Sequence, residues 1–435
     1  HQSGGCYLTL GNLPHWQQVK LHNIFPLFIK PPDASKEDVH EIFKQQVKEL
    51  ERGVVINLGP IIGDVYVVGG LGLCKTDMPE GQRLCGLKSQ GADIHCRKCY
   101  KLKGLLNDFD QDAEDRTLHG DNEIRSLEGV GGITGGQHER MMYESGLHYR
   151  GPRFEGLACH PYNQTPQDPF HTEYMRIAKY ATTNLNACLN ENDVKELNEI
   201  IDTLQIPMNW GRNIPQWRAN SGKSSEPGSL KWTGGQLGKF IQMSGLILKD
   251  FLHADRFKRS AVQKLSEQVG PNFIDDIIKS FVLLGRLNKE LFHPDYGYIN
   301  SELDQEVKLN KLVLESRTAF VNVWGHTSKH SFGKTPTVHA AVHYSDTLID
   351  CGGIHLVNVE RDETKHGPLR RIINHSNHRA LELDMVKWNN AQSSIGFLGA
   401  GGGKHLYMDR QPEKEFFEFL QTEVIVKLLK GSKTG

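Results

Sequence analysis

Residues 64–99 read DVYVVGGLGLCKTDMPEGQRLCGLKSQGADIHCRKC, a stretch that joins an apolar run to a carboxylate and a pair of cysteines. Its first ten residues, 64–73, are rich in β-branched and apolar side chains, which predicts a buried strand. A carboxylate, Asp77, follows where the strand should give way to a turn at Pro79. A buried strand can present a metal-binding acid at its tip, because the sheet fixes the oxygen while the tip stays open to substrate. A capping role at an ordinary turn is the alternative for Asp77.

The same stretch ends in two cysteines with metal-ligand spacing. Cys96 and Cys99 form a CxxC pair, which lets two thiolates reach one tetrahedral ion from a tight turn. One such pair is only half of a zinc site. Cys85 is the predicted third ligand, and His95, His119 or a residue from a later part of the chain is the predicted fourth. Unliganded thiols are the alternative, and a redox role is disfavoured because no thioredoxin-like context surrounds the pair.

Composition describes an ordinary folded protein. The chain has 435 residues, which suits two or three domains, with 38% hydrophobic and 24% charged residues. The formal net charge of -1 excludes a uniformly basic nucleic-acid binder, so any such surface must be local. The eight cysteines do not resemble a secreted disulfide framework, which favours an intracellular location. The sequence as given starts at His1 and shows no signal-peptide pattern and no apolar run of transmembrane length, so we expect it to be a fragment of a longer chain.

The first hundred residues predict an α/β layer. The alternating residues Cys6 to Leu10 are typical of a strand. Ser35 followed by Asp38 resembles a capping box, and the helix that it begins should stop at Gly53. Strands at 54–58 and 64–73 follow, so the order is strand, helix, strand.

A long helical block comes later. Between Asp168 and about Asp350 the apolar residues recur at helical spacing, which predicts helices at Tyr174–Leu189, Asn192–Leu204, Thr233–Phe251, Ser260–Leu291 and Asp304–Phe320. The fold class is therefore α/β with a large all-α insertion. The predicted domains are 1–103 with the cysteine knuckle at 85–99, the mainly helical insertion 104–350, a return to the first domain at 351–395, and a Gly-rich linker with an amphipathic helix at 396–435.

Two histidines in the helical block have the spacing of zinc ligands. His339 and His343 lie one helical turn apart, but Ala340 occupies the position where a zinc protease carries its glutamate. Packing or hydrogen bonding is therefore the favoured interpretation. A zinc-dependent hydrolase is the alternative, and it requires both histidines to line an open cleft.

Several short motifs occur in a characteristic order. They are Gly11-Asn12-Leu13-Pro14, Thr76-Asp77-Met78-Pro79, Cys85-Gly86, Cys96-x-x-Cys99, Asp168-Pro169-Phe170-His171, Val359-Glu360-Arg361 and Gly367-Pro368-Leu369. In this order and spacing the chain resembles a CACTA-type (EnSpm-like) DDE transposase over roughly residues 5–390. No single motif is specific; the order of the motifs carries the resemblance.

The resemblance implies an RNase H-like core interrupted by the helical insertion. It also implies DNA cleavage and strand transfer by two Mg²⁺ (or Mn²⁺) ions held by carboxylates. Asp77 matches the second acid and Glu360 the third, with Glu363 as the competing choice and a helix-start carboxylate as the structural alternative for Glu360. The first acid is expected on a strand before Cys6, outside this sequence, so the chain as given is expected to be inactive.

The resemblance further implies double-stranded DNA of transposon ends as the partner, self-association and a nuclear location. Asp168 and His171 match a DxxH motif of unknown role, for which an N-cap aspartate beside a histidine is the alternative. A non-catalytic derivative that binds DNA or protein is the other functional hypothesis. Candidate DNA contacts are the basic residues Arg97, Lys98, Lys101, Lys103, Arg370 and Arg371, and solvated faces are the alternative for them.

Overall fold

The structure divides into two compact units. The computed structural model describes residues 5–13, 18, 20, 23–29, 35–59, 62–89, 91–109, 113–204, 214, 216, 217, 230, 232–292, 302–325, 335–360, 362 and 381–399. One unit contains residues 1–72, 156–159 and 359–435, and the other contains residues 73–155 and 160–358. The cysteine knuckle and the helical block, which the sequence predicted in separate domains, therefore belong to the same unit.

The first unit contains two small antiparallel sheets. Strand β1 (Gly5–Thr9) pairs with β2 (Ile24–Ile29), and β3 (Val54–Asn57) pairs with β4 (Asp64–Val67). Helix α1 (Lys36–Arg52) lies between the two pairs in the chain, and the helix Leu381–Gly399 packs against β2.

Helix α1 begins and ends where the sequence predicts. The Ser35 hydroxyl accepts a hydrogen bond from the Asp38 N–H at 3.0 Å, which satisfies one of the unpaired donors at the helix start. The helix stops at Gly53, whose φ is 93°. A Cβ at that position would collide with the Tyr66 ring, whose hydroxyl donates to the Arg52 carbonyl at 2.6 Å. Gly53 therefore both ends the helix and lets β4 approach it.

The strand predicted over residues 64–73 is wrong in length and in burial. Strand β4 ends at Val67, before a stretch in which Gly69, Gly70 and Gly72 offer no side chains for packing, and the side chains of Tyr66 and Val68 are exposed. Asp77 consequently does not stand at the tip of a buried strand. The described residues show an α-rich architecture with two two-stranded sheets, and an RNase H-like core is not among the features they show.

The second unit is mainly helical. Its helices are α2 (Met78–Leu84), α3 (Leu118–Ser126), α4 (Gly135–Glu144), α5 (Phe170–Ala178), α6 (Lys179–Cys188), α7 (Glu191–Thr203), α8 (Gly234–Phe251), α9 (Arg259–Gln268), α10 (Phe273–Phe292), α11 (Glu302–Trp324), α12 (Pro336–Ala340) and α13 (Tyr344–Cys351). Helix α5 is wound as a π-helix and continues directly into α6.

The hydrophobic core of this unit lies around α10. Helix α10 packs against α8 and α11, and Leu287 of α10, Leu309 of α11 and Tyr344 of α13 are fully buried in one apolar cluster. A Cβ at Gly285 would lie 2.8 Å from the Ile241 carbonyl oxygen, so the close approach of α8 and α10 depends on this glycine. Burial of this kind makes the helices stable through their apolar faces.

The predicted helices of this block are present, with one division. The helix predicted over 260–291 is two helices, α9 and α10, because Gly270 with φ of 121° and Pro271 interrupt the pattern. The predicted C-terminal amphipathic helix within 396–435 lies outside the described residues.

Candidate metal centre

Four potential metal ligands meet in the second unit. Cys96, Cys99, His339 and His343 each offer one ligand atom, and these four atoms lie within 4.8 Å of one another. The Cys96 Sγ lies 3.3 Å from the His343 Nε2, and the Cys99 Sγ lies 3.2 Å from the His339 Nε2. The two Nε2 atoms are 3.3 Å apart. A tetrahedral zinc ion would set such ligand-to-ligand distances at roughly 3.3 to 3.8 Å, so these three distances are close to the values that such an ion requires.

Backbone contacts fix the turn that carries the two cysteines. The Lys98 N–H donates to the Cys96 Sγ at 3.4 Å, an interaction that orients a thiolate. Cys99 forms an antiparallel bridge with Asp115, and the Arg116 Nε donates to the Cys96 carbonyl at 2.8 Å. The turn is therefore held by protein contacts on both sides of the ligand pair.

A buried ion pair supports this turn. Arg116 donates from one nitrogen to both carboxylate oxygens of Asp121, each at 3.0 Å, and both side chains are fully buried. The hydroxyls of Tyr100 and Tyr162 donate to the same carboxylate. Burial and the Asp121 charge raise the pKa of Tyr162, so its hydroxyl stays protonated as a donor. The Asp121 carboxylate thus has several partners in the interior.

The two histidines come from a short helix and the turn that follows it. His339 lies on α12, and a single 3₁₀ turn at Ala341–His343 places the second ring 5.1 Å from the first, centroid to centroid. The Nδ1 of His343 lies 2.9 Å from a carboxylate oxygen of Asp346, so the Nε2 is directed toward the cysteines. Lys98 and Asp350 pair at 2.8 Å, which adds a second link between the cysteine turn and α13.

The electrostatics of the group favour positive charge beside Cys96. Burial alone would raise the pKa of Cys96, but the hydrogen bond from Cys99 and the charge of His343 outweigh it and lower that pKa well below its usual value. Burial would likewise lower the pKa of His343, but the Cys96 charge and the Asp346 hydrogen bond raise it to about 9. The hydrogen bond to Cys96 and burial raise the pKa of Cys99. A divalent cation would supply the positive charge that the thiolate attracts and would displace the shared protons.

All four ligands are enclosed by protein. Their exposed fractions are 3% for Cys96, 2% for Cys99, 5% for His339 and 7% for His343. Catalytic zinc sites keep one coordination position open to water or substrate, whereas structural sites are closed by four protein ligands. The geometry therefore fits a structural ion.

Sequence reasoning found half of this group. Cys96 and Cys99 were predicted as ligands, whereas a packing or hydrogen-bonding role was favoured for His339 and His343. In the structure both rings are buried and face the cysteines, so they complete a group that could hold a metal. The signal was present in their one-turn spacing. The sequence did not show that the histidines lie beside the two cysteines, because the cysteines are about 240 positions earlier in the chain.

The other predicted ligands lie outside the group. The Cys85 thiol donates to the Pro161 carbonyl at 3.4 Å, and burial raises its pKa. The Nδ1 of His95 lies 3.3 Å from the Ala92 carbonyl. His119 is on the surface, 3.1 Å from Glu123.

The two predicted catalytic acids belong to different units. Asp77 lies in the second unit, where its exposed side chain caps α2 by accepting the Glu80 N–H at 3.0 Å. Glu360 lies in the first unit and is partly exposed. The capping interpretation of Asp77, stated as its alternative, therefore describes its contact in this structure. Glu363 lies outside the described residues.

Asp168 and His171 interact as a pair at the start of α5. The Asp168 carboxylate accepts the N–H of Phe170 at 3.1 Å and the N–H of His171 at 2.9 Å. It also lies 2.6 Å from the His171 Nδ1. The N-cap residue of α5 is Pro169, so Asp168 satisfies two backbone donors from one position before the cap and fixes the orientation of a partly exposed imidazole.

Most of the basic residues near the knuckle are buried. Arg97 is fully buried and donates to the Pro166 carbonyl at 2.6 Å, Lys98 pairs with Asp350, and Lys101 is 5% exposed. A Cβ at Gly81 would collide with the Arg97 guanidinium, so α2 accommodates this side chain only because of the glycine. Of the four knuckle residues predicted as DNA contacts, Lys103 alone is on the surface.

Arg370 and Arg371 lie outside the described residues. Within the described part of the chain, no helix has the length and apolar character needed to cross a bilayer. Comparison of the sequence with protein-family models and with curated proteins finds no match.

Proposed function

We propose that this chain is a DNA-processing protein of the transposase type whose second unit is built around a structural zinc ion. The single observation that carries the metal is the closed group of Cys96, Cys99, His339 and His343. Thiolate and imidazole ligands in a tetrahedral arrangement favour zinc over magnesium or calcium, which prefer oxygen. When bound, zinc would supply a fixed link between the knuckle and the helices that follow α11.

The closed geometry disfavours a zinc-dependent hydrolase. A hydrolase needs an open coordination position at which water becomes a nucleophile. All four coordination positions here would be taken by buried protein ligands. A structural ion is therefore the better interpretation of the same histidines.

Metal analysis of purified protein tests the zinc part of the proposal. We expect one zinc ion per chain, lost in Cys96→Ser and in His339→Asn. Cys85→Ser and His119→Asn are matched controls, because they change the same residue types outside the group, and both should keep the ion. Metal-free wild-type protein, or full zinc content in the ligand variants, would overturn this part.

The order of motifs supports the DNA-processing part. Asp77 and Glu360 would contribute oxygen ligands to Mg²⁺ or Mn²⁺ beside the scissile phosphodiester, where such ions activate the nucleophile and stabilise the leaving oxygen. A non-catalytic DNA-binding derivative is the second candidate, and the capping contact of Asp77 favours it, since that contact gives the acid a structural reason to be present.

Manganese binding in the presence of duplex DNA separates these two candidates. Electron paramagnetic resonance of Mn²⁺ reports binding without requiring turnover. For the transposase type we expect Asp77→Asn and Glu360→Gln each to weaken Mn²⁺ binding at least tenfold, with Asp250→Asn on the surface of α8 as the control. Equal Mn²⁺ affinity in all four proteins would leave only the non-catalytic candidate.

A further inference from the structure

A junction of two chain segments lies on the second unit, apart from the four ligands. Leu87 and Leu147 form an antiparallel bridge, and the Lys88 N–H donates to the Gly146 carbonyl at 2.8 Å. Two further backbone hydrogen bonds, of 3.0 and 2.8 Å, continue the pairing toward residues 148–153. Residues 84–88 therefore lie against residues 146–153.

Positively charged side chains converge at this junction from three parts of the chain. Arg125 reaches it from α3, where its Nε donates to the His148 carbonyl and its Nη2 to the Gly86 carbonyl, both at 3.1 Å. A third donor, Nη1, bonds the Asn122 side-chain oxygen at 2.7 Å. These three acceptors are neutral, so they fix the guanidinium without cancelling its charge. The cationic cluster consists of Lys88, Arg125, Arg150 and Arg153.

The charges of these four side chains all act on the imidazole of His148. Burial and then the charges of Lys88, Arg153, Arg150 and Arg125 lower the pKa of His148, so this imidazole stays neutral among them. Such a concentration of positive charge attracts anions even in a chain whose net charge is close to zero. Two acids lie nearby. Glu155 accepts at 2.9 Å from Asn122, which is itself a partner of Arg125, so one carboxylate belongs to the same network as the four cations, and Glu144 pairs with Arg140 at 2.7 Å.

Exposed aromatic rings border the cationic cluster. The Lys88 Nζ lies 4.9 Å from the centre of the Tyr143 ring, which is 50% exposed. Tyr149, between His148 and Arg150 in the chain, is 55% exposed and lies edge-on to His138 at 5.7 Å. Tyrosine hydroxyls donate to phosphate oxygens, and arginine forks match phosphate geometry.

We propose that the cationic cluster, together with Tyr143 and Tyr149, binds the phosphate backbone of duplex DNA. The choice of DNA among polyanions rests on the proposed function; the attraction for a polyanion rests on the cluster itself. This surface differs from the knuckle residues predicted from the sequence, most of which are buried.

Fluorescence anisotropy with a 30-base-pair duplex at several salt concentrations tests the inference. The triple variant Lys88→Gln, Arg150→Gln, Arg153→Gln should bind at least tenfold more weakly, and its log affinity should fall less steeply with log salt, by a slope of about 2 to 3. The matched control Lys279→Gln, Arg286→Gln, Lys289→Gln removes the same charge from the exposed face of α10 and should bind like wild type.

A charge-preserving variant and metal content guard against a folding defect. Arg150→Lys with Arg153→Lys should keep the salt slope, and zinc content should be unchanged in every variant. Equal loss of affinity in the α10 control, or unchanged binding by the cluster variant, would overturn the inference. So would binding of phosphatidylserine vesicles through the same residues with no binding to DNA. Loss of DNA binding in the cluster variant alone, with no effect of Asp77→Asn on Mn²⁺, would support this surface while rejecting the catalytic proposal.

Discussion

The knuckle region at residues 73–155 and the helical bundle of α8, α10 and α11 belong to one unit but hold their structure by different means. The bundle is held mainly by apolar side chains such as Leu287 and Leu309, which are fully buried, and Arg317 of α11 adds a buried ion pair with Glu173 of α5. The knuckle region has short helices, and its interior contains charged groups such as Arg97, Arg116 and Asp121. Its apolar cluster around Leu87, Met142 and Leu147 is small, and buried ion pairs and a metal can add further constraints to a region of this size.

Loss of the metal should show the largest difference in stability between the two regions. Cys96→Ser removes one ligand of the group, and structural zinc sites in small domains contribute about 10 kcal/mol of apparent binding free energy. We expect the variant to lose zinc and to become sensitive to proteolysis within the knuckle region, while its far-ultraviolet circular dichroism keeps most of the helical signal. Unchanged protease resistance in zinc-free protein would contradict the assigned role of the metal.

Breaking the buried ion pair of Arg116 and Asp121 should have the next largest effect on stability. Asp121→Asn leaves the Arg116 guanidinium without its buried counter-charge, a change that typically costs about 3 to 5 kcal/mol. Chemical denaturation should show this loss, and Asp250→Asn, at an exposed position of α8, should change stability by less than about 0.5 kcal/mol. Similar effects of the two variants would show that the knuckle region does not depend on the pair.

A cavity in the bundle should destabilise without touching the metal. Leu287→Ala removes a fully buried side chain from the cluster around α10, and such truncations cost about 2 to 5 kcal/mol. Denaturant midpoints measure the loss, and zinc content should stay at one ion per chain. Loss of zinc in the folded variant would mean that the two regions are not separable in this way.

The smallest effect should come from the residue that orients His343. Asp346→Asn keeps the shape of the side chain but removes the carboxylate that holds the Nδ1, and loss of such partners weakens metal affinity by about 10- to 100-fold. Competition with a chelator measures the affinity. Asp350→Asn, which breaks the ion pair with Lys98 instead, is the comparison and should weaken zinc less. An affinity equal to that of wild type would remove Asp346 from the account.

Local rules predicted much of the fold. Ser35 and Gly53 defined α1 correctly because caps and left-handed glycines are readable from neighbouring residues. The prediction of a strand over residues 64–73 was wrong because it rested on the apolar residues of this stretch and gave too little weight to its glycines. The helix at 260–291 was joined in error because apolar spacing continues across Gly270 and Pro271, whose effect on the backbone should have been decisive.

The metal group could be predicted from the sequence only in part. The spacing of Cys96 and Cys99 and the spacing of His339 and His343 are both local, and both were noticed. The two pairs come together only through the packing of the unit, and the residues around one pair do not predict the other. Proximity in sequence favours Cys85 as a third ligand, but its thiol donates to the Pro161 carbonyl instead.

X-ray absorption at the zinc edge tests the central claim most directly. We expect one ion with two sulfur ligands at about 2.3 Å and two nitrogen ligands at about 2.0 Å. Three sulfur ligands would restore Cys85 to the site, and the absence of bound zinc would contradict the account of how the second unit is held together.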